Sequence, residues 1–253
     1  MAYEGLAEIY DCLMTDTDYN AWADYIDQLL QQYNCPGNQI LDLGCGTGNI
    51  SIPLIQKGWQ MIGVDNSEEM LMRAAEKCYE AEVFMPLLQQ DITDLELSFQ
   101  ADGAIATFDT FNYILEPADL YQVFEQLGKV MVSNGLLIFD INTPYKLKAY
   151  LGENTFTYHS EDVTYLWENY YDSENEICEM YLTFFVRDDA TKLYRKMEEI
   201  HYQKVYQLEQ LSDYLAKAGF ELLAVFNQLE NQPIATLDQE EKVVLIARKI
   251  VKD

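Results

Sequence analysis

Hydrophobic and polar positions change period twice along this chain. Between residues 3 and 33 the apolar residues keep helical spacing. Leu6, Ile9, Tyr10 and Leu13 share one face, and Trp22, Tyr25, Ile26, Leu29 and Leu30 share another. Two helices are expected, with Thr15-Asp16-Thr17-Asp18 between them offering capping side chains. After the turn Cys35-Pro36-Gly37-Asn38, short apolar runs alternate with amphipathic stretches. Strands are predicted at 39–43, 60–65, 83–88, 102–107 and 135–141, and helices at 49–57, 67–80 and 117–132. Asn66 with Glu69 three residues later reads as a capping-box-like start of the second helix. Pro117 suits the first turn of the third, whose Leu120, Val123, Phe124, Leu127 and Met131 keep one face apolar. Such alternation predicts a parallel sheet with helices on both faces.

After residue 150 the period shortens. Residues 155–158, 163–171, 177–187 and 192–206 are rich in β-branched and aromatic residues. The polar turns Asp172-Ser173-Glu174-Asn175 and Asp188-Asp189-Ala190-Thr191 separate the last three of these runs. Three or four antiparallel strands, inserted late, are the simplest reading. Helical spacing returns over 208–218 and stops at Gly219, and strands follow at 220–226 and 242–247. The chain therefore divides into a helical cap (1–35), an α/β core (36–150), an antiparallel β insertion (151–206) and a final helix and strands that complete the core sheet (207–253).

The chemistry is concentrated where the first strand ends. Ile40-Leu41-Asp42-Leu43-Gly44-Cys45-Gly46-Thr47-Gly48-Asn49 runs from an apolar strand through an acid into glycine at every second position. Glycine allows backbone angles that a side chain forbids and lets a ligand touch the main chain. A dinucleotide fingerprint needs glycine at its first, third and sixth positions. Asn49 stands at the sixth here, which argues against an NAD-linked reductase. The acid-x-Gly-x-Gly-x-Gly pattern resembles the first motif of the class I S-adenosylmethionine (SAM) methyltransferases. Four more motifs of that family follow in order. They are Gly63-Val64-Asp65-Asn66-Ser67-Glu68-Glu69-Met70-Leu71, Gln90-Asp91-Ile92, Asp102-Gly103-Ala104-Ile105-Ala106-Thr107-Phe108-Asp109, and Asn134-Gly135-Leu136-Leu137-Ile138-Phe139-Asp140. The layout is similar to small-molecule methyltransferases. Its Tyr10-Asp11-x-Leu13-Met14 opening and late insertion resemble the bacterial YqeM-like branch.

The resemblance implies a Rossmann-like, doubly wound, mostly parallel seven-stranded sheet, with SAM at its carboxyl edge. It also implies roles. Gly44, Cys45, Gly46 and Gly48 would admit the methionine and ribose portion. Asp42 would act near the ammonium end, or else cap the loop. Asp65 would accept from the ribose hydroxyls, with Asn66 beside it, and Met70 would pack on the adenine. Asp91 would accept from the adenine amine and Ile92 would offer its amide, unless Asp91 merely caps a turn. Thr107 and Phe108 would sit beside the transferable methyl. Tyr10, Tyr19 and Trp22 would form a lid or ordinary helix packing.

Asp109 and Tyr113 are the nearest candidates for a proton acceptor, and Asn112 for an acceptor contact, because this loop holds no histidine. It also lacks the paired prolines of DNA amino-methylating enzymes. The insertion holds many of the chain's 19 tyrosines, and Tyr165, Tyr181 and Tyr194 are candidates for an aromatic acceptor wall. The same strands could instead make a dimer interface. His201, on a strand with alternating neighbours, reads as a packing or surface residue.

Composition narrows the partners. A formal net charge of −27 repels nucleic acid and anionic membranes and leaves a small-molecule acceptor as the expected partner. Five scattered cysteines, without C-x-x-C pairs, suit free thiols in a cytoplasmic protein, and no metal-ligand spacing is present. No signal peptide or membrane-length apolar run is visible. The expectation is a cytoplasmic SAM-dependent methyltransferase moving a methyl group to nitrogen or oxygen. A SAM-binding regulatory protein without turnover is the rival.

Overall fold

The computed structural model describes residues 17–250 except 189, 235 and 238. Leu6, Ile9, Tyr10 and Leu13 lie outside the described residues. Helix α1 (Tyr19–Gln32) is capped by the Asp18 carboxylate, which accepts from the Ala21 N–H at 2.9 Å. Its apolar face buries Trp22, Tyr25, Ile26, Leu29 and Leu30. The core then runs β1 (Gln39–Leu43), α2 (Ser51–Gln56), β2 (Gln60–Asp65), α3 (Glu68–Glu80), β3 (Leu87–Gln89), β4 (Ala101–Ala106), α4 (Pro117–Val130) and β5 (Met131–Asn142). Four strands follow: β6 (Thr155–His159), β7 (Val163–Asp172), β8 (Ile177–Arg187) and β9 (Tyr194–Lys204). Helix α5 (Leu208–Ala218), β10 (Phe220–Asn227) and β11 (Lys242–Lys249) complete the core.

The main sheet has seven strands in the order β10-β11-β5-β4-β1-β2-β3, and β11 is antiparallel to both of its neighbours. The other pairs are parallel. This is the expected doubly wound α/β sheet. Alternation along each strand sends side chains to two helix layers. Ile40, Ile138 and Ile246 pack with α1, α2 and α3, while Leu41, Phe139 and Leu245 pack with α4 and α5. Strand order reverses between β1 and β4, which opens a crevice at their carboxyl ends.

Three local expectations shift. The strand expected at 83–88 pairs only over Leu87–Gln89, because Pro86 has no N–H for a ladder and Met85 turns into the core. Helix α3 is capped by Ser67, whose Oγ accepts from the Met70 N–H at 3.3 Å, and not by Asn66. The last insertion strand is Tyr194–Lys204, shorter than the expected 192–206. Asp188 accepts from the Thr191 N–H at 2.7 Å and so holds a turn ahead of Tyr194.

The insertion is a four-stranded antiparallel sheet in the order β6-β7-β8-β9. A π-helical turn, Lys146–Leu151, roots it by burying Leu147 and Leu151 with Cys178, Met180 and Val205. Strand β9 packs on the short 3-10 turn Thr110–Tyr113 that follows β4. Asn112 joins the two: its amide donates to the carbonyls of Asn142 (3.2 Å) and Lys204 (3.0 Å), and its Oδ1 accepts from the Asn142 N–H (2.9 Å).

A buried ionic group fixes the end of β4. The Asp140 carboxylate on β5 accepts from the N–H groups of Phe108 (2.7 Å) and Asp109 (2.6 Å). Lys242 on β11 reaches Asp140 at 3.1 Å and Asp109 at 2.5 Å. Burial pushes the Asp140 carboxyl up against the pull of Lys242. Burial lowers the Lys242 ammonium, but the two carboxylates more than offset it and hold it above the ordinary lysine value. Removing Asp140 leaves Lys242 paired with Asp109 but strips the Phe108 and Asp109 N–H groups of their acceptor. Asp140→Ala is therefore expected to cost about 2–6 kcal/mol in urea unfolding, about 1–3 kcal/mol for each stranded donor. An Asp140→Asn/Lys242→Met double variant should cost less than the sum of its single changes.

Candidate functional site

A cavity of about 390 Å³ opens at the switch point between β1 and β4. Its wall collects loops from four strand ends. Strand β1 and the loop after it supply Asp42, Gly44, Cys45 and Gly46, and β2 leads to Asp65, Asn66 and Met70. Asp91 and Ile92 follow β3, and Thr107, Phe108, Thr110 and Tyr113 follow β4. Val64 shapes the first loop by accepting from the N–H groups of Gly44 (2.8 Å) and Cys45 (3.0 Å). Gly46 has φ +53°, and no atom lies within 4 Å of where its Cβ would stand, so a side chain there would occupy ligand space. Gly48 (φ +79°) stands behind the lining and turns the chain toward α2, while Asn49 and Thr47 accept from Lys77 of α3.

Two carboxylates of the expected set are held differently. Asp42 is 1% exposed; its Oδ2 accepts from Ser51 Oγ at 2.6 Å, and its Oδ1 is buried without a hydrogen-bond partner. Burial pushes this carboxyl up to about 7. An unsatisfied buried acceptor on a cavity wall is a ready seat for a cationic donor. Asp65 accepts from the N–H of Gly46 (2.8 Å) and of Ser67 (2.9 Å). Burial raises its pKa against those bonds. Asp65 thus braces the glycine loop and keeps further lone pairs for a ligand hydroxyl. Asp91 lines the cavity and also caps a turn, its Oδ1 accepting from the Thr93 N–H at 2.9 Å. Met70 is both core and wall.

The end of β4 departs from expectation. Phe108 and Asp109 both have left-handed backbones, φ +59° and +58°. Phe108 faces the cavity, with Lys242 Nζ 5.5 Å from its ring centre and the Trp22 ring 5.2 Å away, tilted against it. Trp22 itself is buried behind Phe108 and is not part of the lining, whereas Tyr19 is. Asp109, expected as a proton acceptor, does not line the cavity. Its carboxylate accepts from Lys242 and Gln203, and although burial opposes it, Lys242 holds the group below the usual carboxylate range. Such a group is a poor base. Asn112 is fully buried in its bonds to β5 and β9 and cannot meet an acceptor.

None of Tyr165, Tyr181 and Tyr194 lines the cavity. Tyr165 stacks on Tyr158 at 5.4 Å, Tyr181 donates to Glu179, and Tyr194 donates to the Glu161 carbonyl. The insertion instead turns Glu199, His201 and Gln203 toward the core, on the face opposite the exposed Ile200 and Tyr202. Tyr113 is brought to the cavity as expected, with His201 Nδ1 2.9 Å from its hydroxyl. The polar alternation Glu199-x-His201-x-Gln203 was the available signal for this contact.

Glu116 and Asp119 also line the cavity, with no lysine or arginine among its described lining residues. Acidic walls suit the sulfonium and ammonium of SAM and oppose the anionic pyrophosphate of NAD. The orphaned Asp42 oxygen and the open Gly46 cradle fit the same ligand. Fold and cavity together define a SAM-binding α/β enzyme.

Comparison with known proteins gives the same class. Residues 40–135 match the methyltransferase domain family. YqeM of Bacillus subtilis (strain 168), which carries a provisional methyltransferase name, is 31% identical over 98% of this chain and 98% of its own. A crystal structure of a SAM-dependent methyltransferase from Clostridium acetobutylicum ATCC 824 superposes with a TM-score of 0.89 at 32% identity, covering 99% of this chain and 100% of that one. SAM-bound CalS10, an amino pentose methyltransferase from Micromonospora echinaspora, shares the fold at 14% identity, with a TM-score of 0.74 over 98% of each chain. The chain belongs to the SAM-dependent methyltransferases, and SAM is its cofactor.

The Asp42 environment predicts how SAM binding responds to pH. With the ligand's ammonium seated on the orphaned Asp42 oxygen, only the ionised carboxylate would attract it, and affinity should then fall as pH drops through about 7. A loss of up to about tenfold per pH unit is expected below that point. Calorimetry should show the fall in the natural chain and a weak, flatter response in Asp42→Asn. Asp65→Ala should weaken SAM on the order of tenfold and also lower the unfolding midpoint, since it frees the Gly46 and Ser67 N–H groups.

Proposed function

We propose that this methyltransferase acts on a small molecule, at a nitrogen or oxygen, and that the acceptor is an amine. The acidic cavity carries this reading: Glu116 and Asp119 line it together with Tyr113, Ile114 and Leu115 of the same stretch of chain. Carboxylates there attract a cationic amine, and the net charge of −27 extends that attraction outward. The reaction of CalS10, named for an amino pentose, is consistent with an amine acceptor. A polynucleotide acceptor is disfavoured by the same charge.

SAM supplies a methyl group on a cationic sulfur. The chain's own contribution is binding and alignment. Asp42 and Asp65, beside the glycine loop, would hold the amino-acid and ribose portions of SAM and Asp91 and Ile92 its adenine, with Thr107 and Phe108 also on the lining. Alignment of donor and acceptor in such a site is worth up to about 7–11 kcal/mol.

Incubation with methyl-labelled SAM and a dialysable small-molecule extract tests the reading. Label should move into an amine-containing compound and S-adenosylhomocysteine should form in step. Label entering only protein or nucleic acid, or no transfer by a chain that binds SAM, would refute it in favour of a macromolecular acceptor or a regulatory binder.

A further inference from the structure

We infer that Tyr113, His201 and Glu199 form a proton relay that carries the acceptor's proton away from the cavity. The inference rests on the methyl-transfer reading above and adds the route of the proton. Tyr113 lies on the cavity wall, in the turn after β4. Its hydroxyl is 2.9 Å from Nδ1 of His201, and Nε2 of that ring is 2.8 Å from Glu199 Oε2. The imidazole is 3% exposed and the Glu199 side chain 7%, so the pair is shielded from solvent. A carboxylate can only accept, so Nε2 carries the ring proton in the neutral form. Nδ1 is left to accept from the phenol.

The described groups around the ring suit this use. Glu199 belongs to the same strand and Tyr113 to the turn packed on it, while the paired strand β8 presents Met180. Gln203, next along that face, holds Asp109, which is neutralised by Lys242 and is turned from the cavity. Among the described residues the relay is therefore the route from the cavity that ends on a basic nitrogen.

The step balances. The acceptor nitrogen or oxygen bonds to the methyl carbon, and the sulfonium S–CH₃ bond breaks to leave a neutral thioether. The acceptor's proton passes to Tyr113 Oη as the phenol's own proton passes to His201 Nδ1. The resulting imidazolium is paired with Glu199, and after product leaves the ring returns to neutral by passing the proton back to Tyr113 Oη as the phenol gives its own proton to water in the emptied cavity.

Two measurements decide this. The chain has two histidines, so ring ¹⁵N spectra hold two patterns, and His159→Gln assigns them. The neutral His201 ring should show a protonated Nε2 and a bare Nδ1. A protonated Nδ1 would overturn the relay whatever the acceptor. In the labelled-SAM assay with the dialysable extract, Tyr113→Phe and His201→Gln should lower the limiting rate about 10²-fold or more and leave the SAM dissociation constant within about threefold. Glu199→Gln should lower the limiting rate as well and leave the SAM dissociation constant unmoved, since the imidazolium formed in the step loses its counter-charge. Rates equal to the natural chain's would overturn the relay while leaving methyl transfer standing. Absence of transfer by the natural chain would instead refute the functional reading.

Discussion

The Asp140 carboxylate is the point on which the site's geometry turns. Two successive residues without glycine's freedom, Phe108 and Asp109, adopt left-handed backbones at the end of β4. Each such residue costs about 1–2 kcal/mol. Charge-assisted hydrogen bonds from their N–H groups to Asp140 are worth about 1.5–3 kcal/mol each, enough to hold the turn. Lys242 then compensates the buried charge and places its ammonium by the Phe108 ring. Strands β4, β5 and β11 are thereby locked at one edge. The left-handed turn directs Phe108 into the cavity and Asp109 away from it.

That constraint separates two kinds of acid in this chain. Asp109 and Asp140 are structural, tied to a lysine and to main-chain donors. Asp42, Asp65, Asp91, Glu116 and Asp119 face the cavity without a lysine or arginine among the described lining residues. The first set sets backbone shape; the second sets the sign of the field that a cationic ligand meets. The surplus of acid in the composition therefore has a local expression at the site.

The insertion serves the core through one edge strand. β9 alternates, so Glu199, His201 and Gln203 point inward while Ile200 and Tyr202 point outward. Asn112 and Asn142 bind this strand to β5 and to the turn after β4. A chain segment nearly ninety residues downstream of Tyr113 is thus held in hydrogen-bonding distance of it. The tyrosines that made the insertion conspicuous spend their rings on one another and on the solvent side of the sheet.

The sequence by itself determined the sheet, its helices and the cofactor loops. These are local: strand β1 and helix α5 fall at their expected residues, because period, caps and glycines act within a few positions. Asp42, Asp65, Asp91 and Phe108 reach the cavity for the same reason, each standing at or just past a strand end that the sheet order gathers, and Met70 follows in the first turn of α3. Only the tertiary structure decided which polar groups meet across long separations. Asp109 looked like a base because its loop is catalytic in position, yet Lys242, far along the chain, takes its carboxylate. His201 looked like packing because no neighbour in sequence explains it, yet β9 delivers it to Tyr113. Strand alternation fixes that some face of the insertion points inward, but the register and the docking of β9 on the core choose which, and neither is a property of any local window.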